Sequence, residues 1–128
     1  MPGESILIVE DEAIVAEEMR EQLLEEGFRV DAVANSGEEA VRLAVETLPD
    51  VVLMDIRLRG GMDGVEAARR IHQTTGAPVV YVTAYPDVFI RDPAQMQRPR
   101  LCVTKPFHAR DLRAIIDAAL AESRQRPC

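Results

Sequence analysis

No run of about 18 consecutive apolar residues occurs in this chain of 128 residues, so no membrane-spanning helix is expected. The first residues, Met1 to Ser5, lack a basic stretch followed by a long apolar one, and no signal peptide is expected. Cysteine is scarce. Cys102 and Cys128 are the only two, and their separation matches no metal-binding spacing. A reduced, cytoplasmic setting is therefore expected. Positive charge is also in deficit: 15 Lys and Arg stand against 22 Asp and Glu, a net charge of −7. That balance argues against a nucleic-acid-binding face. Internal repeats, linkers and low-complexity tracts are absent from the sequence. The length suits one domain over residues 1–128, with its core at about 5–121 and a frayed tail at 122–128.

What is present is a set of short apolar runs. Ile6-Leu7-Ile8-Val9, Val51-Val52-Leu53-Met54 and Val79-Val80-Tyr81-Val82 do not alternate with polar residues. Such runs predict strands buried on both faces, as in a parallel sheet. Residues 28–34 and 101–104 are two weaker strand candidates. Helical patterns fill the gaps. Residues 12–26 carry Val15, Met19 and Leu23 at helical spacing and stop at Gly27, a helix-terminating residue. Ser36 with Glu39 reads as a capping box, in which a hydroxyl and a carboxylate each satisfy a free backbone N–H. That helix should end before Pro49. Asp63 and Glu66 mark a similar start for a helix ending near Gly76. Leu112, Ile115, Ile116, Ala119 and Leu120 form one apolar stripe for a last helix. Between Thr83 and Leu101, Pro86, Pro93 and Pro99 limit the fourth helix to a short or irregular piece. Strands alternating with helices predict an α/β fold: a doubly wound, five-stranded parallel sheet covered on both faces.

That topology concentrates particular polar residues. Glu10 and Asp11 follow the first strand, Asp55 the third, Thr83 ends the fourth, and Lys105-Pro106 follows the fifth. All fall at strand carboxyl ends, where a doubly wound sheet binds ligands. Each alone has a plainer reading: a solvated helix start, a turn-capping Asp, a structural Thr, a surface Lys. Together they form a site. Clustered carboxylates repel unless a cation joins them, and hard oxygen ligands suit Mg2+. A lysine about 4 Å from an anion adds roughly 4 kcal/mol at an effective dielectric of about 20, before desolvation. The Thr83 hydroxyl can donate to a phosphoryl oxygen. The chemistry expected is phosphoryl transfer to an Asp nucleophile.

The pieces ILIVEDE, VVLMDIRLRGGMDGVEAARRI, APVVYVTAY and VTKPF, followed by DLRAII, occur in that order. With them the sequence resembles the receiver domains of bacterial response regulators, from Ser5 to about Ala121. The resemblance implies a flavodoxin-like (βα)5 fold and a role for each matching residue. Asp55 corresponds to the phosphoacceptor. Glu10, Asp11, Asp55 and the backbone carbonyl of Arg57 correspond to the Mg2+ ligands, Asp11 being the more direct of the acidic pair. Thr83 is the switch hydroxyl and Lys105 the phosphate-binding lysine. Lys105-Pro106 corresponds to a peptide bond that is usually cis in the family.

Three features depart from the commonest pattern. The loop after Asp55 is one residue longer and has Arg59 in place of a proline. Cys102 stands three residues before Lys105, where the family usually has an aromatic switch residue. The proline-rich stretch 86–99 replaces a regular fourth helix. Arg57 and Tyr85, two residues after Asp55 and Thr83, correspond to positions bordering the path of the attacking water. Both are bulky, and a long-lived acyl phosphate is expected.

The reading is of a phosphorylation-dependent signalling switch rather than an enzyme. Its partners would be a sensor histidine kinase or phosphotransfer protein as donor and a downstream protein as reader. No direct nucleic-acid or membrane partner is expected, and a homodimer remains open. The alternative is a receiver-like interaction module acting without phosphorylation. A Mg2+ phosphatase would want a second Asp two residues after the first, where Arg57 stands. A flavin-binding protein would want a phosphate-binding loop after the first strand, and none is there. His72 and His108 read as surface residues, and Met54 and Met62 as packing.

Overall fold

The computed structural model describes residues 3–55, 58, 61–83, 101–104 and 108–125. The strands are β1 (Ser5–Val9), β2 (Arg29–Ala34), β3 (Val51–Asp55), β4 (Val79–Thr83) and β5 (Leu101–Thr104). The helices among the described residues are α1 (Ala13–Glu25), α2 (Gly37–Thr47), α3 (Gly64–Thr75) and a C-terminal helix (Ala109–Gln125). The expected fourth helix falls in 84–100, outside the described residues.

The strands pair in parallel in the order β2-β1-β3-β4-β5. Helices cover both faces, so β1 and β3 are buried at every position. Their unbroken apolar runs follow directly, since neither face meets water. On one face Ile6, Ile8, Leu53, Val80 and Val82 pack against Met19 and Leu23 of α1 and Leu112 and Ile116 of the C-terminal helix. On the other, Leu7, Val9, Val52, Met54 and Tyr81 meet Ala40 and Ala44 of α2 and Ala67, Ala68 and Ile71 of α3. Each fully buried Leu or Ile contributes about 1.5–3 kcal/mol. Alanine on the inner faces of α2 and α3 lets both helices lie close to the sheet.

The edge strand β2 behaves differently. Its register against β1 jumps from Ile6–Val30 to Leu7–Ala32, which leaves Asp31 as the extra residue. Val30 therefore joins the α1 face, while Ala32 and Ala34 join the α2 face. An exposed charged residue in a bulge blunts an edge strand against pairing with other chains.

The helix ends follow local chemistry. The Ser36 hydroxyl accepts from the Glu39 N–H at 3.1 Å, and the Glu39 carboxylate accepts from the Asn35 N–H at 2.8 Å. Asp63 accepts from the Glu66 N–H at 2.8 Å. Gly27 and Gly76, beyond α1 and α3, take the left-handed conformation at φ 90° and 76°. The C-terminal helix continues past Ala121, into the stretch expected to fray. Across the fold, Arg113 of this helix donates to the Glu26 carbonyl at the end of α1 and lies over the Phe28 ring. No helix among the described residues is long and apolar enough to cross a membrane.

Candidate functional site

The strand order fixes where the site lies. From β1 the chain moves outward to β2, then crosses back to β3 on the other side of β1. The helices leaving β1 and β3 therefore diverge to opposite faces, opening a crevice at the carboxyl ends of those strands. Val9 pairs with Met54, so Glu10 and Asp11 emerge beside Asp55, the last residue of β3.

One carboxylate oxygen from each of Glu10, Asp11 and Asp55 lies within 4.8 Å of the others. Glu10 is 2% exposed and Asp55 7%, while Asp11 is half-buried. Buried carboxylates are costly unless hydrogen bonds or cations compensate. For Glu10 part of that compensation is local: its Oε2 accepts from the Glu12 N–H at 3.2 Å, just before α1 begins. Sequence reasoning missed this second role. The signal available was only an acid two residues ahead of a helix start. An all-oxygen, anionic donor set at this separation has the chemistry of a hard divalent-cation site.

The other expected residues are placed to different extents. Thr83 ends β4 and pairs with Thr104 of β5, so the backbone brings it to the same edge of the sheet. Its side chain lies outside the description. Arg57, Tyr85, Lys105 and Pro106 lie outside the described residues, as does the side chain of Cys102. His72 and His108 are exposed. Met54 is fully buried, and Met62 packs against the α2 face of the core.

Two ionisable groups near this edge have shifted equilibria. Burial pushes the Tyr81 phenol up to about 12, and the charge of Asp63 adds to the effect. On α3, hydrogen bonds from Arg69 and then Arg70 hold Glu66 down at about 2. Glu66 is thereby occupied on the helix surface, and Asp63 alone caps α3.

A doubly wound parallel sheet with three clustered carboxylates at its switch point is an arrangement suited to a hard divalent cation. The chain matches the response regulator receiver domain family over residues 6–117. It belongs to that family, the receivers of two-component systems. It is 35% identical over 120 residues to the transcriptional regulatory protein PdtaR of Mycobacterium tuberculosis, covering 94% of this chain and 58% of PdtaR. The chain thus spans little more than half of that relative. The receiver domain of a modulated diguanylate cyclase from Desulfovibrio desulfuricans G20 superposes with a TM-score of 0.85 at 35% identity, covering 94% of this chain and 96% of that one. The receiver domain of a sensor histidine kinase from Pseudomonas aeruginosa PAO1 superposes with a TM-score of 0.82 at 29% identity, covering 93% and 98%. In that structure a magnesium ion is coordinated in the active-site cleft.

Proposed function

We propose that this protein is a phosphorylation-dependent switch in which Asp55 accepts a phosphoryl group. The observation that carries the reading is the convergence of Glu10, Asp11 and Asp55 within 4.8 Å at the switch point of the sheet. In the transfer, a carboxylate oxygen of Asp55 forms a bond to phosphorus. The phosphorus–nitrogen bond of a donor phosphohistidine breaks, and its electron pair returns to the imidazole. Glu10, Asp11, Asp55 and the Arg57 carbonyl would hold Mg2+, which neutralises charge on the transferred group when bound. Lys105, after the Lys–Pro pattern of the family, would add a second positive charge, and the Thr83 hydroxyl would donate to a phosphoryl oxygen. The donor would be a sensor histidine kinase or phosphotransfer protein in the cytoplasm.

The full reading is a single (βα)5 domain whose fourth helix would be short or irregular, between Thr83 and Leu101. Cys102 is too small to act as the usual aromatic switch, so the response would fall in the proline-rich segment 86–99, with Tyr85 as its aromatic participant. Arg57 and Tyr85 would slow hydrolysis by obstructing the approach of water; decay of the phosphoprotein should quicken in the Arg57→Ala, Tyr85→Ala double variant.

Intact-mass spectrometry with acetyl phosphate tests the central claim. One phosphoryl group should add to the wild type only with a divalent cation, and none to Asp55→Asn. Uptake that persists in the variant, or survives chelation, would make Asp55 the wrong acceptor. A wild type that takes up none would favour an interaction module acting without phosphorylation.

A further inference from the structure

Glu10 is held from two directions. Its backbone N–H donates to the Ala34 carbonyl at 2.9 Å, tying it to the end of β2. Strand β2 lies on one side of β1 and β3 on the other, so this bond runs to the side away from Asp55. The carboxylate must reach back across the end of β1 to meet Asp11 and Asp55, where one oxygen from each lies within 4.8 Å of the others. A glutamate carries its carboxylate on flexible bonds, and fixing them costs conformational entropy. The Glu12 N–H supplies a fixed point at the far end, donating to the Glu10 Oε2 at 3.2 Å.

That donor is itself anchored. Glu12 is extended, at φ −94° and ψ 112°, and its carbonyl accepts from the Ala16 N–H at 3.0 Å. Ala16, Met19 and Leu23 bury α1 in the core. The start of α1 differs from those of α2 and α3, whose caps Ser36 and Asp63 bond back to their own helices. The Glu12 side chain makes no cap bond and is exposed. The carboxylate bonded at the start of α1 is instead that of Glu10, buried at the site. One N–H occupies one of the roughly four lone pairs of a carboxylate, so acceptor sites remain for a cation.

We propose that the backbone N–H of Glu12 is a positioning group for the cation site, seating the Glu10 carboxylate beside Asp11 and Asp55. This rests on the reading of those three residues as the Mg2+ and acceptor site. The N–H acts through Glu10 and not on the metal. Hydrogen-bonded support of a ligating carboxylate is commonly worth about 10–100-fold in metal affinity.

The test removes that one N–H. Two full-length chains, Glu12→Ala and a chain with lactic acid at position 12, differ only in a backbone N–H exchanged for oxygen. In calorimetric titration with Mg2+ alone, the lactic acid chain should bind about tenfold more weakly than Glu12→Ala. Lactic acid at position 77 is the control. It removes the Ala77 N–H that donates to the Thr75 hydroxyl at 3.1 Å, ahead of β4 at the opposite end of the sheet. That chain should melt at a lower temperature and keep the wild-type affinity. A merely structural role for the Glu12 N–H predicts the same pattern at position 12: a lower melting temperature, with an affinity equal to that of Glu12→Ala. Such a result overturns the inference and leaves the acceptor reading intact. Absence of Mg2+ binding by the wild type overturns both. Should the position-12 lactic acid chain not fold, hydrogen exchange of the wild type decides. A seat must hold with the cation bound, so at saturating Mg2+ the Glu12 amide should exchange at least about tenfold more slowly than in the unfolded chain. Faster exchange than that refutes the seating.

Discussion

The buried carboxylate of Glu10 accepts a hydrogen bond from the Glu12 backbone N–H at 3.2 Å, so one acidic side chain both lines the site and fixes the entry to α1. The two roles separate by substitution. Glu10→Ala leaves that N–H without its acceptor and should cost about 2 kcal/mol. Glu10→Gln keeps an oxygen acceptor and should cost less than half as much. Relief of carboxylate repulsion is common to both, so the difference reads the hydrogen bonding of the side chain together with its buried packing. Urea denaturation gives both values, and equal losses would remove the bond from the account.

The same cluster sets a trade between stability and metal binding. Oxygens of Glu10, Asp11 and Asp55 lie within 4.8 Å of one another. At an effective dielectric of about 20, such a like-charge pair costs roughly 3 kcal/mol, and solvent at the half-buried Asp11 reduces this to about 1 kcal/mol. Metal-free Asp11→Asn should therefore be more stable than metal-free wild type by about that amount. Mg2+ at about 100 times its Kd should stabilise the wild type by about 2.7 kcal/mol and Asp11→Asn by far less. Thermal melts with and without chelator read both effects.

Leu48 caps α2 with φ 48° and ψ 62°, the left-handed conformation, and is 67% exposed. A Cβ in that conformation costs about 1–2 kcal/mol, while an exposed leucine at this cap contributes little packing to offset it. Leu48→Gly removes that Cβ and should raise stability by about 1 kcal/mol, net of the freedom glycine adds to the unfolded chain. Leu48→Asn keeps a Cβ, tolerates the conformation better than leucine, and should gain less. The check is a higher urea midpoint with an unchanged slope.

Tyr81 gives an alkaline signature. Its phenol is raised from the ordinary value of 10 to about 12, chiefly by burial. The folded state thus favours the protonated phenol more than the unfolded state does. The associated stability is complete below pH 10 and is lost as pH rises toward 12. In a Tyr85→Phe background Tyr81 is the only tyrosine, so tyrosinate absorbance reports it alone. Its ionisation should lag behind that of the urea-unfolded chain. Coincident titrations would mean the phenol is not buried in solution.

Much of this protein is written locally. The runs at 6–9, 51–54 and 79–82 gave three strands because apolar residues on both faces have no aqueous side to leave bare. Ser36, Asp63, Gly27 and Gly76 marked helix ends because capping depends on residues a few positions apart. The acidic pair after β1 and the Asp after β3 could be assigned to one edge because alternating strands and helices force parallel strands. The tertiary structure decided what depends on distant neighbours. The β2–β1–β3 adjacency places the crevice between Glu10 and Asp55, since only the strand order makes their ends neighbours. The bulge at Asp31 arises where an edge strand must serve both faces. The left-handed turn at Leu48 runs against its local preference. The need for glycine at 37 exists only because Met62, distant in sequence, comes to rest against it. Periodicity and caps act within a turn or two of chain, whereas steric exclusion acts between whatever the fold brings into contact.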